Sequence, residues 1–120
     1  MPKEIWVLDD DDSIRWIIEK ALVKKGYDVK GFELPRELLD NLALTSPHLI
    51  ISDVRMPQMN GFELLQTING LSKPIPVIVM TAFGDLDSAV DSFKYGALEY
   101  LTKPFDIGSC LRLLISPSKR

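Results

Sequence analysis

The residues best suited to chemistry in this sequence are acids and donors that follow short apolar runs. Asp9 and Asp10 follow the first run, Asp53 the third, Thr81 the fourth and Lys103 the fifth. Carboxylates brought together repel one another, so a cluster that keeps them ionised needs a cation or strong hydrogen-bond donors. Mg²⁺ fits this demand because it prefers oxygen ligands, whereas zinc would need a cluster of His and Cys ligands, and this chain has one residue of each type.

The remaining polar residues of this set are suited to binding phosphate. Lys103 carries a point charge, Thr81 a hydroxyl group, and Ala82 a main-chain N–H at a strand-to-loop junction. An aspartate beside Mg²⁺ can itself attack phosphorus, since carboxylates are nucleophiles that form aspartyl phosphates. The sequence contains no Gly-rich phosphate loop and no Ser/His pair, which argues against nucleotide binding and triad hydrolysis.

Composition excludes several classes of protein. A chain of 120 residues, 46% of them hydrophobic, is one domain with a real core. The single cysteine, Cys110, excludes a disulfide framework, so the reducing cytoplasm is the expected location of the protein. The single histidine, His48, is interpreted as an ordinary loop residue. The net charge of −3 and the scattered basic residues argue against direct contact with nucleic acid. No apolar run approaches the roughly 20 residues of a membrane span.

The elements that must position these residues alternate between apolar runs and segments of helical period, which predicts five βα units. The predicted strands are residues 5–8, 27–32, 49–51, 76–80 and 97–101, and the third places Ser52 and Asp53 at its carboxyl end. Right-handed crossovers make such units an open parallel sheet, so we expect an α/β, flavodoxin-like (βα)5 fold with strand order 2-1-3-4-5. Ligands of such sheets bind outside the carboxyl ends of the strands, where the acids of strands one and three meet.

Caps and breakers mark the predicted helices. Asp12 or Ser13 caps the first helix, Gly26 supplies its left-handed end, and Pro35 opens the second helix. Pro57 and Gly61 form a turn before the third helix, and Asp85 or Asp87 begins the fourth. The apolar stripes expected to face the sheet are Ile14, Ile17, Ile18, Ala21 and Leu22; Leu38, Leu39 and Leu42; Leu64, Leu65 and Ile68; Leu86, Ala89, Val90 and Phe93; and Leu111, Leu113, Leu114 and Ile115.

Four motifs at these strand ends resemble those of the response-regulator receiver domain of two-component systems. They are residues 7–10 followed by Ile14-Arg15, residues 51–57 with Gly61, residues 80–82 and residues 100–105. The resemblance covers essentially the whole chain and implies one receiver domain over residues 1–120, as a piece of a longer regulator. The finer resemblance is to NtrC-like regulators of sigma-54 transcription, through residues 13–16, 53–57, 85–87 and 103–106.

The resemblance assigns a role to each acid. It implies that Asp53 is the phosphoacceptor, which takes a phosphoryl group from a phosphohistidine of a sensor histidine kinase. Asp10, Asp53 and the main-chain carbonyl of Arg55 would bind Mg²⁺ directly, and Asp9 would bind it through water. The run of four aspartates from Asp9 leaves the register open. We take the first two as the metal pair because they directly end the strand and Arg15 lies five residues beyond the second acid.

The resemblance also implies a switch. Lys103 would pair with a phosphoryl oxygen, with Thr81 and Ala82 as the other phosphate-binding residues. Thr81 would move toward the phosphate and vacate space for a rotated Tyr100. The resemblance also implies that the longer protein contains an ATPase domain and a DNA-binding domain and that it forms a homodimer. The chain would be a signalling switch that catalyses only its own phosphorylation and dephosphorylation.

Two other functions are weighed against this one. A haloacid-dehalogenase-type phosphatase would use Asp9 as its nucleophile, and Asp9-x-Asp11-x-Ser13 partly imitates its motif. That family places an acidic pair after its lysine, whereas Lys103 is followed only by Asp106. A non-phosphorylated adaptor would require loss of the acids, the acceptor or the lysine, and all are present.

Overall fold

The computed structural model describes residues 3–53, 61–71, 75–82, 97 and 99–103, with residues 61–63, 81–82 and 99–103 described by their main chain. The elements, in chain order, are β1 (Glu4–Leu8), α1 (Asp12–Lys24), β2 (Asp28–Phe32), α2 (Pro35–Leu42), β3 (Leu49–Asp53), α3 (Gly61–Asn69), β4 (Val77–Ala82) and β5 (Glu99–Lys103). The predicted fourth and fifth helices, and Pro57, lie outside the described residues.

The five strands form one parallel sheet in the order β2-β1-β3-β4-β5. This confirms the predicted α/β architecture and strand order. β1 and β3 lie side by side in the interior, and Leu8 is in register with Ser52. β2, predicted as a polar edge strand, alternates between exposed and partly buried residues up to the buried Phe32. Because β1 and β3 are parallel neighbours, their carboxyl ends lie together at the same edge of the sheet. This is the topological switch point, where the strand order reverses.

Helices cover both faces of the sheet, which explains why β1 is buried along nearly its whole length. On one face α1 packs onto the cluster of Ile5, Val7, Ile18, Leu22, Leu49, Ile51, Ile78 and Met80. On the other face α2 and α3 pack onto the cluster of Trp6, Leu8, Phe32, Leu38, Ile50, Leu64, Leu65, Ile68, Ile75, Val77, Val79 and Ala97. In the described part of the chain no helix has both the length and the apolarity to cross a bilayer.

The ends of α1 follow local chemistry, with one correction. Asp11 is the N-cap, where Asp12 or Ser13 had been predicted, and its carboxylate accepts from the N–H groups of Ser13 and Ile14 at 2.9 and 3.2 Å. A carboxylate can cap in this way only from the position before the first helical residue. Gly26 has a φ of +97°, which confirms the predicted left-handed end.

Three further predictions are wrong in detail. Ile17 was placed in the buried stripe but is 55% exposed, because α1 buries the narrower seam of Ile18 and Leu22. β4 continues through Thr81 and Ala82, and β5 is Glu99–Lys103, two residues later than predicted. The ladder pairs Ala82 with Lys103, and main-chain pairing extends these strands beyond their apolar residues.

His48 connects the amino ends of two strands. Its Nδ1 accepts from the N–H of Glu4 at 3.0 Å, and its own N–H donates to the carbonyl of Glu4 at 2.8 Å. β3 begins at the next residue, Leu49, so this contact lies at the opposite end of β3 from Asp53. The interpretation of His48 as a loop residue outside the site agrees with this position.

Candidate functional site

The site begins with Asp53, the last residue of β3. Leu49 and Ile51 of β3 pack in the cluster on the α1 side of the sheet. Because side chains alternate along a strand, Asp53 continues that series toward the same side. The strand is in register with β4 through the pair Asp53 and Met80. β3 thus delivers a carboxylate at its carboxyl end from an otherwise buried strand.

Three predicted acids come together at this end of the sheet. One carboxylate oxygen each from Asp9, Asp10 and Asp53 lies within 4.8 Å of the others. Asp9 is fully buried, Asp53 is partly buried and Asp10 is exposed. The cluster therefore has a buried floor and a side open to solvent, from which a ligand can enter.

Asp9 is anchored by its main chain and its side chain. Its N–H donates to the carbonyl of Phe32 at 3.2 Å, which ties it to β2. Its carboxylate accepts from the N–H of Asp11 at 2.9 Å. A buried carboxylate needs such donors, because an uncompensated charge in the interior is costly.

Arg15, one turn into α1, reaches back to the same segment. Its Nη1 donates to the main-chain carbonyl of Asp9 at 2.7 Å, and its Nη2 pairs with the carboxylate of Asp12. Burial acts to lower the pKa of Arg15, but the hydrogen bond to Asp12 and the neighbouring carboxylates outweigh burial and raise it above its ordinary value. Arg15 is therefore a permanent cation beside the acid cluster.

The donor set fits a hard divalent cation. All three side chains offer carboxylate oxygens, the ligands that Mg²⁺ prefers, and Mg²⁺ keeps several waters in its protein sites. Two oxygens that both bind Mg²⁺ directly lie at most about 4.2 Å apart, twice the usual Mg–O distance. Oxygens spaced by up to 4.8 Å can hold one ion if one of the contacts passes through water. The cluster could therefore bind Mg²⁺, partly through water.

The phosphate-binding candidates lie at the same edge of the sheet by their main chain. Thr81 pairs with Thr102 and Ala82 with Lys103, one and two residues beyond the pair of Met80 with Leu101. Lys103 is thus the last residue of β5, not a residue of the following loop as predicted. Tyr100 is the second residue of β5. Arg55, the predicted carbonyl ligand, lies outside the described residues.

Two residues that shape the site were not predicted to do so. In the sequence, Arg15 served only to choose the register of the acidic run, and Gly31 was included only as part of the strand predicted over residues 27–32. The spacing of Asp12 and Arg15 is one that pairs side chains on a helix, and this signal could have identified their contact. The bond to the Asp9 carbonyl leaves no signal in the sequence, because every residue carries a carbonyl group.

Comparison with known sequences agrees with this arrangement. The family model described as the response regulator receiver domain matches residues 5–114. The DNA-binding transcriptional regulator NtrC of Escherichia coli K12 is 46% identical over 110 residues, which are 92% of this chain and 24% of that protein. The chain therefore spans about a quarter of the NtrC proteins it matches. These matches give no support to the phosphatase alternative.

Solved structures show the same relationship. The solution structure of the BeF3-activated receiver domain of nitrogen regulatory protein C is 43% identical, with a TM-score of 0.81, and the match covers 100% of this chain and 99% of that one. The chemotaxis response regulator CheY4 of Vibrio cholerae is 30% identical, with a TM-score of 0.87 over 96% of this chain and 98% of that one. With an NtrC-like sequence, a parallel sheet in the order 2-1-3-4-5 and three acids at its switch point, this chain belongs to the response regulator receiver domain family of two-component signalling.

Proposed function

We propose that Asp53 is the phosphoacceptor of this receiver and that its phosphorylation requires Mg²⁺. The observation that carries the proposal is the position of its carboxylate, at the end of β3 and within 4.8 Å of the acids that follow β1. Asp53 is partly buried, whereas Asp9 is fully buried and holds the Asp11 N–H. An incoming phosphoryl group therefore meets Asp53 more readily than Asp9.

The proposed reaction is the transfer of one phosphoryl group between two side chains. An oxygen of the Asp53 carboxylate attacks the phosphorus of a phosphohistidine on the sensor histidine kinase. The new O–P bond forms as the P–N bond breaks, and the imidazole nitrogen keeps the electron pair of that bond. The products are an acyl phosphate at residue 53 and a free histidine, whose leaving nitrogen takes up a proton from solvent.

The other groups of the site serve this transfer by binding charge. Asp9, Asp10, Asp53 and the carbonyl of Arg55 would hold Mg²⁺, which when bound neutralises negative charge on the carboxylates and the phosphoryl oxygens. Lys103, Thr81 and the N–H of Ala82 would bind those phosphoryl oxygens. Support for the latter group comes from the ladder between Ala82 and Lys103, at the carboxyl ends of β4 and β5.

The phosphorylated state would differ from the free state at Thr81 and Tyr100. We propose that Thr81 moves toward the phosphoryl group and Tyr100 rotates into the vacated space. The phosphoryl group adds charge and acceptor oxygens, and it shifts the balance of two conformations only by its different contacts in each. The relative solved in a BeF3-activated form supports a two-state receiver of this kind.

The proposed setting is a cytoplasmic two-component system. A sensor histidine kinase would supply the phosphoryl group. Residues 1–120 would be the receiver domain of a longer, sigma-54-dependent regulator with ATPase and DNA-binding output domains, and a homodimer is part of the same expectation. Support comes from the identity with NtrC proteins, of which this chain matches about a quarter.

The test is phosphorylation of the 120-residue chain by acetyl phosphate with and without MgCl2, read by intact mass and peptide mapping. We expect one acid-stable, base-labile phosphoryl group, at Asp53 and only with the metal. Asp53→Asn should abolish labelling, and Asp40→Asn, at an exposed acid on α2, should leave it unchanged. Labelling that survives in Asp53→Asn, or that needs no divalent ion, would contradict the proposal. A label on Asp9 would instead favour the phosphatase chemistry.

A further inference from the structure

The segment from Asp9 to Asp12 is closed by one side chain. Arg15 donates from Nη1 to the Asp9 carbonyl at 2.7 Å and from Nη2 to the Asp12 carboxylate, so its guanidinium group joins the end of β1 to the first turn of α1. Asp10 lies between the two joined residues. Its exposed side chain is therefore carried by a short loop whose two ends are held by the same group.

The bond to the Asp9 carbonyl acts on Asp10 through the planar peptide. The carbonyl of Asp9 and the nitrogen of Asp10 belong to one rigid peptide unit. A donor that holds this oxygen therefore fixes the plane from which the Asp10 side chain departs. The Asp9 N–H bond to β2 and the Asp11 N–H bond to the Asp9 carboxylate fix the units on either side.

The surroundings of Arg15 make this hold a strong one. Its side chain is 17% exposed, and hydrogen bonds from a charged donor are shorter and stronger than neutral ones. Gly31 of β2 leaves the space that Arg15 and Glu19 use, because an ideal Cβ there would come 3.1 Å from Cδ of Arg15. The guanidinium group is charged at any physiological pH. A lysine has one nitrogen and cannot reproduce the two-point contact.

We propose that Arg15 is a positioning residue for metal binding, which orients Asp10 by holding the carbonyl of Asp9. The inference rests on the proposed Mg²⁺ site of the acid cluster. Mg²⁺ tolerates little departure from octahedral geometry, so a loose Asp10 weakens binding even though all three carboxylates are present. Arg15 touches neither the metal nor the phosphoryl group in this role.

The positive charge of Arg15 should weaken Mg²⁺ binding, whereas its positioning of Asp10 should strengthen it. Substitutions of Arg15 can therefore distinguish the two roles. A cation beside the cluster repels Mg²⁺, so a role through charge alone predicts that Arg15→Gln binds Mg²⁺ more tightly and Arg15→Lys binds it as before. A positioning role predicts weaker binding in both variants. It also predicts that Arg15→Lys is no better than Arg15→Gln, since lysine retains the repulsion and loses the two-point hold.

The experiment is calorimetric titration of the 120-residue chain with MgCl2. We expect both Arg15 variants to bind Mg²⁺ about 10-fold more weakly, the lower end of the range for residues that orient metal ligands. Arg36→Gln is the matched control, because Arg36 is an exposed arginine on α2, and its affinity should equal that of the unchanged chain. Unaltered or tighter binding in Arg15→Gln, or unaltered binding in Arg15→Lys, overturns the proposal.

A second measurement needs no variant. In an NMR spectrum of the unchanged chain, a guanidinium group held at both nitrogens shows separate, slowly exchanging Nη proton signals for Arg15. A single averaged signal would show free rotation and overturn the proposal even if the variants failed to fold. If the unchanged chain binds no Mg²⁺, the proposed function and this inference fail together. If it binds Mg²⁺ and labels Asp53 while the Arg15 variants bind normally, the inference alone fails.

Discussion

The carboxylate of Glu19 occupies the space beside Gly31 that the side chain of any other residue would fill. An ideal Cβ at position 31 would lie 2.8 Å from Cδ of Glu19 and even closer to one of its carboxylate oxygens. Such distances are well below ordinary van der Waals contact, so helix α1 and strand β2 meet here only because residue 31 is glycine.

We expect the cost of Gly31→Ala to depend on the residue at position 19. With Glu19 present, the alanine must displace its carboxylate and crowd Arg15, which lowers the free energy of unfolding. With Glu19→Ala the two shortest contacts are gone and only the 3.1 Å approach to Cδ of Arg15 remains, so Gly31→Ala should lower the free energy of unfolding by less. Urea unfolding of the two single variants and the double variant measures this coupling. Additive effects would contradict the contact.

Gly26 and Gly70 form a matched pair of glycines. Gly26 has a φ of +97°, a conformation that costs a residue with a Cβ roughly 1–2 kcal/mol, so Gly26→Ala should lower the free energy of unfolding by about 1 kcal/mol. At Gly70 a Cβ would meet carbonyl oxygens at an ordinary 3.5 Å. Gly70→Ala should be neutral or stabilise by up to about 1 kcal/mol. Equal losses in the two variants would refute the assignment.

The N-cap of α1 predicts a difference between two substitutions of Asp11. Asp11→Ala removes the acceptor of the Ser13 and Ile14 N–H groups and should lower the free energy of unfolding by about 1 kcal/mol. Asp11→Asn keeps a capping oxygen and should remain close to the unchanged chain. Both are measured by urea unfolding in EDTA, so that bound metal does not contribute. A loss in Asp11→Asn as large as in Asp11→Ala would mean that charge, not capping, matters at this position.

The acid cluster predicts that stability responds oppositely to Asp10→Asn with and without Mg²⁺. In EDTA the substitution removes a like charge at the cluster and should raise the free energy of unfolding, by up to about 1 kcal/mol for an exposed group. At saturating MgCl2 the unchanged chain gains more from the metal, because it binds the ion more tightly.

Thermal unfolding under the two conditions should therefore rank Asp10→Asn above the unchanged chain in EDTA and below it in MgCl2. Asp40→Asn, at an acid exposed on α2, should keep the same rank under both conditions. A metal-independent ranking of Asp10→Asn would exclude Asp10 from the ion's site.

Much of the fold follows from patterns that are local in the chain. The apolar runs identified all five strands, and the alternation with helical segments predicted their order, which the sheet confirms. Gly26 and Pro35 ended and opened helices as predicted, because their backbone limits depend on no distant contact. Predictions that required knowledge of a neighbour were less exact. Ile17 looked buried by periodicity, but α1 turns it to solvent, and β5 lies two residues later because its pairing with β4 determines its ends.

Which chemical groups this protein offers follows from its sequence: acids after the first and third strands, a threonine and a lysine at the ends of the fourth and fifth, and neither a Cys/His cluster nor a Gly-rich phosphate loop. Only the tertiary structure decided the distances among Asp9, Asp10 and Asp53, the hold of Arg15 on the Asp9 carbonyl, and the fit of Glu19 against Gly31. These contacts depend on strand register and on how closely α1 packs onto β2. One of them ends on a main-chain carbonyl, a group that all residues share and that no sequence pattern can mark.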